Sequence, residues 1–76
     1  MRFMNEIVED ICLTVNGDSL RVAAGLSVAG LIAGLELDTR KVAVERNLEI
    51  VPRSTYAAVR LLDGDRLEIV HFIGGG

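Results

Sequence analysis

Gly74, Gly75 and Gly76 close the sequence, and they raise its first chemical question. A carboxylate at the end of consecutive glycines has no Cβ hindrance, so its carbon is open to attack once activated as an acyl-adenylate. Fully extended, three residues reach about 10 Å past the preceding strand. A run without side chains can also thread a narrow channel in another protein. No Gly-rich phosphate loop follows a strand and precedes a helix, so activation must come from a partner. A glycine end with no role is the competing reading, since glycine loses the most backbone entropy on ordering and chain ends fray.

The other reactive side chains are isolated. Cys12 is the single cysteine and His71 the single histidine, so no Cys-His pair is near in sequence. Cys12 alternates with inward-pointing positions and is expected to face outward as a packing or surface residue. His71 reads as part of a strand-end surface. Asp63 and Asp65 flank Gly64, but two carboxylates are too few for calcium, and turn formation explains them better. Arg53 reads as a solvated turn residue, with partner docking as the alternative. With no metal-ligand spacing and no paired carboxylates, the chain is expected to be acted upon rather than to be an enzyme, with no metal site and no bound cofactor.

These residues need elements to position them. Ile11, Leu13 and Val15 alternate with Cys12, Thr14 and Asn16, the period of a half-buried strand. Asn16-Gly17 suits a type I′ turn, whose central residues both need positive φ, and Leu20 and Val22 continue a return strand. Ser27 is placed to cap a helix. Val28, Leu31, Ile32 and Leu35 share one helical face. Ala29, Gly30, Ala33 and Gly34 share the other, where two glycines cost about 1 kcal/mol each relative to alanine. Leu37 to Lys41 reads as a charged connector. Val42–Glu45 and Glu49–Val51 read as short strands, the second ended by Pro52, which cannot donate to a ladder. Ser54 is expected to cap a helical turn through Tyr56 and Ala58. Asp63-Gly64-Asp65 is a turn before a last strand over 67–72. The order β-β-α-β-β-(short helix)-β implies a two-layer α+β domain. Leu67 and Ile69 point at its helix; Glu68, Val70 and Phe72 lie on the open face.

Composition narrows the class. The chain has 76 residues, one domain's worth, half of them apolar and so sufficient for a globular core. A net charge of −3 with no basic stripe argues against nucleic acid as a partner. Apolar stretches break well short of the ~20 residues a membrane span needs. The first ten residues carry three acids and no apolar segment of the kind a signal peptide has. A lone cysteine forms no internal disulfide, so a cytoplasmic location is the default expectation. Residues 1–10 form an extension open to several readings: an extra strand or helix, a disordered arm, or a start-site choice. The domain runs over 11–73 and a flexible tail over 74–76.

Several blocks together resemble the ThiS family of sulfur carriers in thiamine (thiazole) biosynthesis, relatives of ubiquitin and of the molybdopterin-synthase small subunit. They are Thr14-Val15-Asn16-Gly17, Val42-Ala43-Val44-Glu45, Glu49-Ile50-Val51-Pro52-Arg53-Ser54, Leu62-Asp63-Gly64-Asp65, Leu67-Glu68-Ile69-Val70 and the terminal Gly-Gly. The resemblance implies a β-grasp (ubiquitin-like) fold, a mixed sheet of four to five strands on one helix. It implies that an E1-like, ThiF-like adenylyltransferase uses ATP to adenylate Gly76, and that a persulfide donor converts the adenylate to a thiocarboxylate. A ThiG-like thiazole synthase then takes the sulfur. In that picture Gly76 is the reacting residue, Gly75 gives the tail access to partner sites and Gly74 is a spacer, and Val70 and Phe72 are the implied docking residues. A carrier for molybdopterin or another sulfur-containing product, a ubiquitin-like protein modifier and an interaction module with an inert tail are the alternatives. The chain departs from the family at Asn47-Leu48, where the family usually has Asn-Gly. Leucine tolerates positive φ poorly, so the turn is expected to change type.

Overall fold

A computed structural model describes residues 9–72. Residues 1–8 and 73–76, which include Gly74, Gly75 and Gly76 and most of the N-terminal extension, lie outside the described part.

Strands β1 (Asp10–Val15) and β2 (Asp18–Ala23) form an antiparallel hairpin. Asn16 and Gly17 both have positive φ, at 51° and 89°, as the type I′ turn demands. Helix α1 spans Val28–Gly34, and Ser27 caps it by accepting a bond from Gly30 N–H at 3.0 Å. The other early donors also find partners. Val28 N–H donates to the Val59 carbonyl and Ala29 N–H to that of Tyr56, so the segment after β4 closes the helix N-terminus. Val28, Leu31 and Ile32 are buried. Leu35 is not; it is the C-terminal cap residue and 37% exposed. It lies one residue past the helix and lines a shallow groove with Leu31 and with Leu20 and Val22 of β2. A Cβ at Gly30 would lie 2.7 Å from Leu26 Cδ1, so the end of that side chain would have to shift to admit one.

The connector after α1 holds a 3₁₀ turn at Thr39–Lys41. Strands β3 (Val42–Arg46) and β4 (Glu49–Val51) form the second hairpin. A second 3₁₀ turn covers Arg53–Thr55 with Pro52 at its start and no side-chain cap. Ser54 therefore does not cap it. Thr55 Oγ1 instead donates to the Pro52 carbonyl at 2.7 Å, because the turn begins two residues earlier than Ser54 would require. Strand β5 (Arg66–His71) completes one five-stranded mixed sheet in the order β2-β1-β5-β3-β4. β5 runs parallel to β1 and antiparallel to β3.

One face of the sheet packs on α1. Leu13, Val42, Val44 and Leu67 are nearly inaccessible there, against Val28 and Ile32 of the helix and Leu61 of the connection to β5. Burying each such side chain contributes about 1.5–3 kcal/mol. The β-grasp arrangement follows: a central strand, a hairpin on each side, and a helix across one face. Among the described residues no helix is long and apolar enough to cross a membrane.

Candidate functional site

The strand that leads to the glycines is the central one, held from both sides. On the β1 side, Thr14 N–H donates to the Asp65 carbonyl at 3.0 Å and Asn16 N–H to that of Leu67 at 2.9 Å. β1 then turns away. The Asn16 side chain continues the ladder in its place: Oδ1 accepts from Ile69 N–H at 2.7 Å and Nδ2 donates to the Ile69 carbonyl at 3.1 Å. On the β3 side, pairing runs in register from Arg46↔Leu67 to Val42↔His71. Beyond it, Phe72 N–H donates to the Lys41 carbonyl at 2.8 Å. The chain is thus hydrogen-bonded to the last described residue before the tail.

The start of β5 is fixed by a buried carboxylate. Asp65 is 5% exposed. One of its oxygens accepts from Leu62 N–H and Arg46 Nε, both at 2.8 Å, and the other from Asn47 Nδ2 at 3.0 Å. Burial pushes its carboxyl up, but these three donors outweigh that and hold it below the usual carboxylate range. Asn47 also accepts from Arg66 N–H at 2.9 Å. Read as sequence, Asp63-Gly64-Asp65 is only a turn. Asp65 is in addition the polar centre that joins the second hairpin to β5. The signal was an acid one residue before an alternating strand, with Arg46 and Asn47 remote in sequence.

The side of the sheet away from α1 is uncovered by described residues. Val70 is 58% exposed and Phe72 46% exposed, on the open face as the strand alternation requires. Two further apolar residues join this surface, Ile50 at 67% and Leu48 at 91% exposure. Neither was among the sequence candidates. Ile50 is the middle residue of a three-residue strand, too short to show alternation. Leu48 lies in the β3–β4 turn, where the sequence signals backbone conformation and no face of the sheet. The expected change of turn type does not occur: Asn47 and Leu48 have φ of 52° and 73°, so the type I′ geometry persists with leucine in the glycine position.

The remaining candidates are scattered. Cys12 is exposed, its N–H donating to Asp63 Oδ1 at 2.8 Å. His71 is exposed at the end of β5. Arg53 is an exposed turn residue, as expected, and it also donates to the carbonyls of Thr39 at 3.1 Å and Val42 at 3.3 Å, fastening the loop after β4 onto the start of β3. Among the described residues, no group of three or more His, Cys, Asp or Glu side chains is placed to hold a metal ion.

The comparisons with known proteins agree with this architecture. The sequence profile of the ThiS family matches residues 8–76. A sulfur carrier protein ThiS from Bacillus subtilis is 46% identical over 50 residues, covering 66% of this chain and 76% of that protein. The crystal structure of a thiamine biosynthesis protein (ThiS) from Geobacter metallireducens superposes with a TM-score of 0.74 at 38% identity. It covers 87% of this chain and 100% of that one. A thiazole synthase from Paramagnetospirillum magneticum is 58% identical over 64 residues, or 84% of this chain. The chain spans only 20% of the length of that synthase.

Proposed function

This chain belongs to the ThiS family, and from that premise we propose that it is a sulfur carrier of thiamine biosynthesis whose reacting group is the carboxylate of Gly76. The supporting observation is the family match itself, which runs through residue 76 and so includes the glycines as well as the sheet. An E1-like, ThiF-like partner uses ATP to form the Gly76 acyl-adenylate with release of pyrophosphate. The terminal sulfur of a persulfide donor attacks the acyl carbon and AMP leaves. A thiol then reduces the resulting acyl disulfide, leaving the thiocarboxylate. Thiazole synthase consumes that sulfur, a role supported by the synthases that carry a segment similar to this chain.

In this scheme the chain is a co-substrate and its partners are the catalysts. ATP is used by the activating enzyme, and the setting is cytoplasmic. The domain supplies a rigid base for the tail, since β5 is hydrogen-bonded on both edges up to Phe72. Val70 and Phe72 supply exposed apolar contact beside the tail's exit. Gly75 and Gly74 supply a run narrow enough to enter a partner's active site. Intact-mass measurement tests the reading: the chain is incubated with the cognate activating enzyme, ATP and a persulfide donor. A mass gain equal to one sulfur-for-oxygen exchange, absent when Gly76 is deleted, is the expected result. No gain in the wild-type chain overturns it.

A further inference from the structure

The two edges of β5 are held to different lengths. On the β3 side the hydrogen-bonded positions run from Arg66, whose carbonyl accepts from Asn47 N–H, to Phe72, whose N–H donates to the Lys41 carbonyl. The alternate residues, Asp65, Leu67, Ile69 and His71, turn their backbone groups toward β1. Strand pairing there ends at Val15↔Leu67, and β1 leaves the sheet through Asn16 and Gly17, both at positive φ. Among the described residues, what reaches Ile69 from that side is the Asn16 side chain. It accepts from the Ile69 N–H at 2.7 Å and donates to the Ile69 carbonyl at 3.1 Å.

The turn alone does not call for this residue. Glycine, aspartate and asparagine all suit the first central position of a type I′ turn. The clamp asks for more. A carboxamide carries a donor and an acceptor side by side, so it stands in for a strand residue. Glutamine carries the same group but opposes the left-handed backbone that Asn16 adopts at a φ of 51°. The clamp sits three residues before Phe72, the last described residue. Without it the β1-side hold ends at Leu67, and the stretch that leads into the tail is bound along β3 only. Asn47 does comparable work at the other end of β5, through Arg66 and Asp65. Arg66 lies about 20 Å from Phe72 along the strand.

We propose that Asn16 is a positioning residue for the chemistry at Gly76: it carries the β1-side hold two residues further and fixes the end of β5 from which the tail leaves. This rests on the reading in which Gly76 is the reacting residue. An enzyme that acts on Gly76 grips the domain in one place and reacts with the carboxylate in another. A loosened strand end between the two spreads the positions of the reacting carbon, which lowers the rate of reaction once bound. Val70 and Phe72 keep their pairing with β3 when the clamp is removed, so binding is preserved.

The test compares the full chain with Asn16→Gly, Asn16→Asp and Asn47→Gly. Loading by the activating enzyme, ATP and a persulfide donor is resolved into kcat and KM, and backbone amide exchange is followed on each variant. Both substitutions at Asn16 suit the turn. Glycine removes the clamp; aspartate keeps the acceptor but sets a carboxylate oxygen against the Ile69 carbonyl. Each is expected to lower kcat about fivefold, short of the roughly 100-fold that an ångström of misplacement can cost. KM is expected to stay within about twofold of wild type, and the Val70 and Phe72 amides to exchange about tenfold faster. Asn47→Gly is expected to keep the wild-type kcat despite a comparable loss of stability. A wild-type kcat in Asn16→Gly overturns the proposal. So does an equal fall in Asn47→Gly, which would reduce the effect to stability, and so does a raised KM at unchanged kcat, which would assign Asn16 to docking. If the wild-type chain is never loaded, the carrier reading fails, and exchange decides the clamp by itself. Faster exchange at Val70 and Phe72 in Asn16→Gly than in Asn47→Gly upholds it; equal rates overturn it.

Discussion

The two hairpins flank β5 like a matched pair, and their turns begin alike. Asn16 and Asn47 have nearly the same φ, 51° and 52°, and each asparagine uses its side chain to hold β5. Asn16 brackets the N–H and carbonyl of Ile69. Asn47 takes the N–H of Arg66 and donates to Asp65. The turns differ at their second residue, Gly17 in one and Leu48 in the other. At Gly17 the left-handed conformation is met by the residue that adopts it without steric cost. At Leu48 the same conformation is imposed on a side chain that opposes it. Turn type is therefore decided by the pairing of the strands and the two asparagine clamps, with local preference overridden at the second hairpin.

Breaking the second clamp at its centre has the largest expected effect. Asp65→Asn leaves Arg46 without its carboxylate and disturbs the Leu62 and Asn47 bonds. It is expected to cost about 2–3 kcal/mol in chemical denaturation. The same group gives the pH dependence. Its folded carboxyl ionises more readily than an unfolded one at 3.8, so its stabilisation is complete above that value and is lost as pH falls through the lower folded value. Acid titration of the variant should show a shallower fall below about pH 4 than wild type; parallel curves would remove Asp65 from this role.

Next come the clamps compared one against the other. Asn16→Gly and Asn47→Gly keep residues that tolerate positive φ but delete two side-chain hydrogen bonds each, so each is expected to cost about 1–2 kcal/mol. If only one variant loses stability, the symmetry between the hairpins is superficial. Exchanging the second residues has a smaller effect, of opposite sign at the two sites. Gly17→Leu meets no neighbouring atom at its Cβ and is expected to cost about 1 kcal/mol from conformation alone. Leu48→Gly should gain up to about 1 kcal/mol, less the extra entropy of glycine in the unfolded chain. Asp38 belongs to neither hairpin. Arg40, through its side chain and its N–H, lowers the Asp38 carboxyl to about 2, but the pair lies at the surface. Asp38→Asn should leave the unfolding midpoint unchanged within error; a clear shift would mean that the loop before β3 contributes to stability as much as the turns do.

Much of this was legible in the residue order. Alternation at Ile11, Leu13 and Val15 and at Leu67 and Ile69 defined strands because a pleated backbone sends neighbours to opposite faces. Asn16-Gly17 named its turn because few residues accept positive φ, and Ser27 named its cap. The resemblance to the ThiS family, with Gly76 as the expected reacting residue, needed no coordinates. Only the fold revealed that Leu35 falls beyond the helix and that Ser54 is not a cap, because both depend on where an element ends. The fold also made Asp65 the buried link between the second hairpin and β5, and joined Leu48 and Ile50 to the surface of Val70. Those relations connect residues far apart in the chain. Local periodicity reports which face a side chain takes, whereas burial and partnership depend on what the rest of the chain brings to that face.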